Sequence, residues 1–237
     1  MPHHHSPNQN RLLAALPAQE LQELLAHLQV VHLKAGLQLA ESGEQLNLSY
    51  FPIDCSISLF YRLENGGSAG VAVLGNEGMF SIAQILGGAT LPYWASVETS
   101  GHAFQIAADV LLGLSKRLPS LHGTLLLYAQ AALTQVAQTV VCEKHHSMQQ
   151  QLCQHLLLIN DQALSDDFRL THEAIAHMLG VRRESITAAA SELRDKKLID
   201  YSRGHIKVLD RAGLEALCCE CYGVMRNEFA RLLGAQR

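Results

Sequence analysis

The side chains best suited to contact another molecule follow a Gly-Val break at residues 180–181. Arg182 and Arg183 open a run with helical spacing. On that helix, Arg183 lies at the leading edge and the outward positions are Glu184, Thr187, Ala188 and Ser191. Side chains of these types contact DNA phosphates and base edges. The alternative is a pair of helices that only buries a core.

Six cysteines are the other candidates for chemistry: Cys55, Cys142, Cys153, Cys218, Cys219 and Cys221. In a chain of this size without secretion signals, we interpret them as idle free thiols and expect neither a metal site nor a cofactor. Ligand-type residues nevertheless occur near the end of a long predicted helix, at Cys142, His145, His146 and Cys153. Cys218 and Cys221 lie one helical turn apart, so a metal or redox role remains an alternative. We find no nucleophile-base pair, P-loop or paired carboxylates, so an enzyme is not expected.

Two helices must position the arginines. Thr171 can cap the first, whose apolar residues Ile175, Met178 and Leu179 share a face. Gly180 suits the left-handed end of that helix, and Val181 can fill the corner. The second helix has its inward face at Ile186, Ala189, Ala190 and Leu193. This pattern predicts a helix-turn-helix.

A hairpin follows directly, with two alternating runs about Arg203 and Gly204. Arg203 and Lys207 on this wing could meet phosphates beside a major groove. The charge distribution agrees: residues 1–170 carry 7 basic and 13 acidic residues, whereas residues 171–237 carry 11 and 9. A helix-turn-helix with a wing and a basic edge favours DNA binding over a purely structural hairpin.

The preceding residues predict a barrel and a long helix. Residues 11–29 have leucines at helical spacing, and residues 30–107 form short apolar runs broken by turn signals, which is typical of an antiparallel barrel or sandwich. Residues 118–146 predict one long helix, and its apolar seam suggests a second copy of the chain as partner. That dimer seam would contain Leu118, Leu121, Leu125, Tyr128, Ala132 and Val136. The alternative is that this helix packs only on its own barrel.

Length and composition limit the class of protein to which the chain can belong. The chain has 237 residues, of which 48% are hydrophobic and 17% charged. We find no apolar run near the ~20 residues of a membrane span and no signal-peptide pattern, so we expect a soluble, cytoplasmic protein without membrane contact.

The stretches "LTHEAIAHMLGVRRESITAAASELRDKKLI" and "RGHIKVLD" resemble the DNA-binding domain of the Crp/Fnr regulators. "ESGEQLNLSYFPIDCSISLF" is similar to the early barrel strands of that family, and "GNEGMF" to the turn that enters its ligand cassette. The resemblance implies an α+β fold: a cyclic-nucleotide-binding-type β-barrel (jelly roll) with an N-terminal helix at 1–109, a dimerisation helix and hinge at 110–146, and a winged helix-turn-helix with an extra C-terminal helix at 147–237.

Carried over by position, the base-reading Arg-Glu pair of the family falls on Arg183 and Glu184, a chemically sensible pair for guanine and cytosine. A second arginine common in the family is replaced here by Ala188. Arg182 stands where relatives often have a capping serine, and we interpret it as a phosphate contact.

The ligand cassette departs from the family. An ungapped alignment from Gly78 to Val97 puts Ile82 and Ala83 where the ribose-binding Gly-Glu pair belongs. Tyr93 and Trp94 stand in place of the Arg-Ser pair for the cyclic phosphate. A buried phosphate needs a cation or several donors, so we expect a degenerate effector pocket that is not controlled by cyclic AMP.

We therefore expect a homodimeric transcription regulator that binds an inverted repeat in double-stranded DNA. RNA polymerase would be a further partner if the protein activates, and an unidentified small-molecule effector is compatible with the barrel. The alternative is a ligand-, metal- or redox-sensing barrel whose C-terminal helices serve protein-protein contacts.

Overall fold

The computed structural model describes residues 5–234, except residues 63, 65, 66 and 164. Its helices are α1 Arg11–Ala14, α2 Ala18–Leu25, α3 Ile82–Ile85, α4 Ala108–Arg117, α5 Pro119–His145, α6 Met148–Gln162, α7 His172–Met178, α8 Arg183–Asp195, α9 Arg211–Leu217 and α10 Glu220–Leu233. Its strands are β1 Gln29–Leu33, β2 Gln38–Ala40, β3 Leu48–Pro52, β4 Ser56–Arg62, β5 Ser68–Leu74, β6 Trp94–Thr99, β7 Gly101–Ala107, β8 Asp167–Arg169, β9 Ile199–Ser202 and β10 His205–Val208. The predicted order of barrel, long helix and winged helix-turn-helix is confirmed.

Two antiparallel sheets form the N-terminal barrel, with strand orders β1-β7-β3 and β2-β6-β4-β5. Apolar side chains of both sheets fill the space between them, as expected for sheets packed face to face. Large members of this interior are Tyr50, Ile57, Leu59 and Phe80.

The N-terminal helix predicted over residues 11–29 is wrong in its extent. Pro17 separates α1 from α2, because proline provides no amide hydrogen and disfavours helix in the residue before it. Residues from Gln29 belong to β1. Asn10 caps α1 by accepting from the amides of Leu12 and Leu13.

The long helix α5 agrees closely with its predicted bounds, but most of the predicted dimer seam is wrong. Leu118, Leu121, Leu125 and Tyr128 are buried in a core shared with α1, α4 and α10 of the same chain, so they are not free for a partner. Ala132 is partly buried against that core, and only Val136 is exposed.

A different stripe of α5 is left open. Its exposed apolar residues are Leu126, Leu133, Val136, Val140 and Val141. By length and composition alone α5 is also apolar enough to cross a membrane, contrary to the sequence expectation. One such helix is weak evidence, since a core helix passes the same test, and α5 packs one face on the barrel.

The C-terminal domain places the predicted helix-turn-helix (α7 and α8) on a three-stranded sheet of order β8-β10-β9. Strand β8 precedes α7 and was not predicted from the sequence, and Phe168 on it is buried. A strand of three residues has too little alternation to be recognised in the sequence. Helix α10 packs back along α5, where the Phe229 and Tyr128 rings lie 6.4 Å apart.

Candidate nucleic-acid interface

The turn between α7 and α8 forms as its residues predict. The Thr171 hydroxyl accepts from the amide of Ala174 at 3.1 Å and caps α7. Gly180 has φ +63°, a left-handed conformation that glycine adopts without steric cost. The amide of Val181 then donates to the carbonyl of Ala176, which closes the corner.

Helix α8 has one buried and one open face. Its inward residues Ile186, Ala189, Ala190 and Leu193 are all buried, as predicted. Its open face presents Arg183, Glu184, Thr187 and Ala188. Ser191, predicted on the open face, is half-buried and contributes less surface. The open face is therefore richest in polar side chains over the first turns of α8.

The arginines at the start of α8 are available to a ligand. Arg182 occupies the N-cap position, is exposed, and makes no side-chain capping bond. Arg183 Nη1 lies 3.9 Å from Glu173 Oε2, and the two side chains are 66% and 77% exposed. An exposed pair of this kind contributes less than about 1 kcal/mol, so Arg183 can leave Glu173 for a stronger partner at little cost.

A histidine that the sequence did not single out supports this face. His172 Nδ1 lies 3.2 Å from the Thr187 hydroxyl, which donates to the carbonyl of Arg183. Burial, and to a lesser extent the nearby Arg183 charge, lowers the pKa of His172. Nothing in the spacing marks His172 as different from a surface residue, because its contacts come from the helix crossing.

The wing has the predicted turn. Arg203 and Gly204 have φ +48° and +80°, as expected for the two central residues of a type I′ hairpin turn. Arg203 is exposed at its tip. Lys207 is exposed as well, but its register partners on the two neighbouring strands are Asp167 and Asp200, which partly offset its charge.

An aromatic contact joins the wing to the helices. The Arg194 guanidinium lies 4.7 Å from the centre of the Tyr201 ring, and the His172 ring is 4.7 Å from Tyr201. Arg183 and Arg203 line one groove between α8 and the wing. Helix α8 and the wing together form an open surface that carries these arginines. A helix of this kind fits a major groove, and a wing beside it can reach the flanking phosphates.

The four residues of the predicted effector pocket have different surroundings. Ala83 and Tyr93 pack against the barrel interior, whereas Ile82 packs toward the core beneath α5. Trp94 stacks on Phe60 at 4.4 Å and lies 5.6 Å from the His177 ring of α7. Tyr93 directly precedes β6 and Trp94 is its first residue, and the two adjacent side chains pack in different parts of the fold.

Comparisons with known proteins agree with this architecture. Residues 150–217 match the family model of the Crp-like helix-turn-helix domain. The global nitrogen regulator of Synechococcus elongatus is 23% identical to this chain over 216 residues, which are 87% of this chain and 96% of that protein.

Two solved structures have a similar fold. FixK2 from Bradyrhizobium japonicum superposes with a TM-score of 0.68 at 13% identity, over 81% of this chain and 98% of its own. A transcriptional regulator of the CRP family from Thermus thermophilus gives a TM-score of 0.65 at 17% identity, over 80% and 95% of the two chains. At such identities the likeness establishes the fold alone.

Proposed function

We propose that this chain, a transcription regulator of the Crp/Fnr type, acts as a homodimer that binds an inverted repeat in double-stranded DNA. The observation that carries the proposal is the open face of α8, which presents Arg183 and Glu184 from a helix-turn-helix with a wing behind it.

In the proposed complex, α8 enters the major groove. Arg183 exchanges its weak contact with Glu173 for O6 and N7 of a guanine, and Glu184 accepts from N4 of a cytosine. Arg182 and Arg203 bind phosphates on either side of the groove, with a smaller contribution from Lys207. Ala188 offers neither a charge nor a hydrogen bond, so the operator differs from that of relatives with an arginine at this position.

The proposed dimer joins along α5. Leu126, Leu133 and Val140 are exposed and recur every seven residues, which is the spacing of a two-helix seam. In the proposed dimer, the two-fold axis along this stripe would bring the two α8 helices to one side. The half-sites would then lie about one helical turn, roughly 34–36 Å, apart.

We further propose that cyclic AMP is not the effector. Among the described residues no lysine or arginine is buried, whereas a buried cyclic phosphate needs a cation or several donors. Any effector of this regulator must instead bind the DNA-competent state better than the other state. RNA polymerase becomes a partner if the protein activates, and the proposed location is the cytoplasm.

Selection of bound DNA from a random pool, followed by a gel shift at several salt concentrations, tests the proposal. The expected result is an enriched inverted repeat whose affinity falls steeply with salt. If no sequence is enriched, the result would instead favour the alternative that the C-terminal helices serve protein-protein contacts.

A further inference from the structure

Four metal-ligand groups meet where α5 ends and α10 begins. They come from Cys142, His146, Cys219 and Cys221, and all four ligand atoms lie within 4.8 Å of one another. Cys142 Sγ is 3.5 Å from Cys219 Sγ, and Cys221 Sγ is 3.5 Å from His146 Nδ1. The three thiols form a buried cluster apart from the hydrophobic cores of the chain, and His146 is half-buried beside them.

The sequence alone placed Cys142 and His146 in one candidate group and Cys221 in another, and it did not bring Cys219 into either. Cys142 and His146 are four residues apart and share one face at the end of α5. Cys219 and Cys221 are the N-cap and second residue of α10, and Cys219 follows Cys142 by 77 residues. Packing of α10 on α5 brings the two pairs together, and the chain spacing does not reveal this.

From this geometry we propose that Cys142, His146, Cys219 and Cys221 bind one Zn²⁺ ion. With Zn–S bonds of about 2.3 Å and a Zn–N bond of about 2.0 Å, a tetrahedral site has ligand-to-ligand distances of about 3.5–3.8 Å. The two 3.5 Å pairs already meet that requirement, and no pair needs to close by much more than about 1 Å. Three thiolates and one imidazole favour zinc over Mg²⁺ or Ca²⁺, which prefer oxygen ligands.

The surrounding contacts are those of a metal site. His146 Nε2 lies 3.3 Å from Glu220 Oε2, which would orient the ring so that Nδ1 faces the ion. Gln138 Nε2 donates to Cys221 Sγ at 3.1 Å, a contact that stabilises a thiolate. The sulfurs of Cys219 and Cys221 also lie at the positive end of the α10 dipole.

Other occupants explain fewer of these contacts. A disulfide between Cys142 and Cys219 would use two of the four groups and leave the His146–Glu220 and Gln138–Cys221 contacts without a role. An iron–sulfur cluster spreads its cysteine ligands around a cage of several atoms, which is wider than the 4.8 Å spread of these groups.

The ion would tie the two sides of the hinge together. Its ligands lie on the end of α5, which carries the exposed dimer stripe, and on α10, which follows the whole winged helix-turn-helix. Zinc would therefore hold the DNA-binding domain at one orientation to the dimer helix. Zinc binding is a property separate from the proposed DNA binding, and the experiments that test it do not use DNA.

Cobalt(II) titration of the full-length, chelator-treated and reduced protein tests the site. We expect one cobalt ion per chain, with the intense red-region absorption and the thiolate charge-transfer band of a tetrahedral thiolate site, and loss of both when zinc is added. Cys142→Ser and Cys221→Ser should abolish the spectrum. Cys55→Ser is the matched control, since Cys55 lies in the barrel and its serine can still donate to the carbonyl of His102.

A second measurement follows the hinge. Lys144 is exposed in the last turn of α5, and trypsin should cut after it faster in the metal-free than in the zinc-loaded wild-type protein. The proposal is overturned if the folded wild-type protein gives no tetrahedral cobalt spectrum, or if the spectrum persists in both serine variants. A Cys142–Cys219 disulfide in protein purified without reductant, together with no metal binding after reduction, would also overturn it. The cobalt titration of the wild-type protein can support or contradict the zinc site without the variants, so the test remains valid if a serine variant fails to fold.

Discussion

Arg183 is held only loosely by its neighbours in the free protein. Its contact with Glu173 is 3.9 Å long and exposed to solvent, so the guanidinium can exchange Glu173 for another partner with little loss of free energy. The sequence showed Arg183 at the leading edge of α8 but could not show Glu173 beside it, because the two lie on different helices.

Replacing Arg183 tests base reading at this position. Arg183→Ala should weaken cognate binding by about 1–3 kcal/mol and relax the preference for one base, since a bidentate guanine contact is lost. Fluorescence anisotropy on a set of single-base operator variants measures both effects. Arg231→Ala removes the same charge from an exposed i,i+3 pair on α10 and should leave the preference unchanged. Equal losses on every sequence would instead make Arg183 a phosphate contact.

At the scale of the elements, the sequence predicted most of the fold but placed the α5 seam on the wrong face. Turn signals and capping residues identified the barrel strands, α7, α8 and the wing because each acts locally. Helix α5 carries no charged residue from Pro119 to Cys142, so its pattern does not distinguish the face covered by its own chain from an open face. Only the position of α10 and the barrel shows that Leu125 is core and Leu133 is surface.

The corrected face gives a sharp prediction about assembly. Leu133 is 70% exposed, so Leu133→Glu should leave the fold intact but place an unpaired charge in the proposed dimer seam. Sedimentation should then show folded monomers with weakened operator binding. Leu125→Glu should instead unfold the chain, because Leu125 is fully buried in the monomer. Leu86→Glu, at a 58% exposed leucine of the barrel, is the matched control and should remain dimeric. A Leu133→Glu protein that stays dimeric would contradict the seam.

In the whole molecule, the barrel and the DNA-binding domain are packed directly on each other. Phe60 and Val73 of the barrel belong to the same buried cluster as the helix-turn-helix core. Met178 of α7 lies against Gly70, where even a Cβ atom would come within 2.2 Å of its sulfur. A change in the barrel therefore reaches α7 by contact, and does not need to pass only through the hinge after α5.

The packing of the barrel interior also leads to a prediction about the binding of cyclic nucleotides. Ala83 and Tyr93 pack against an apolar barrel interior, and burial raises the pKa of Tyr93 to about 12, so Tyr93 stays neutral at physiological pH. Calorimetry should detect no micromolar affinity for cyclic AMP or cyclic GMP, and operator binding should occur without either. Operator binding that appears only after a cyclic nucleotide is added would contradict this.

A buried polar pair lies where the barrel meets the DNA-binding domain. His155 of α6 lies 2.9 Å from Glu98 of β6, and both side chains are only 4% exposed. Ser58 also donates to Glu98, so removing His155 leaves a buried carboxylate with one partner fewer. His155→Ala should lower the free energy of unfolding by about 1.5–3 kcal/mol, the range for a hydrogen bond to a charged group.

Trp94, the single tryptophan of the chain, reports this transition because its ring packs with those of Phe60 and His177 at the same interface. Urea titration followed by Trp94 emission should show a lower midpoint for His155→Ala. The loss should shrink when Glu98→Gln is already present, because the two residues share one interaction. His205→Ala, which removes the exposed contact with Asp167, should leave the midpoint nearly unchanged. Strictly additive losses from His155→Ala and Glu98→Gln would mean that this pair does not couple the barrel to the DNA-binding domain.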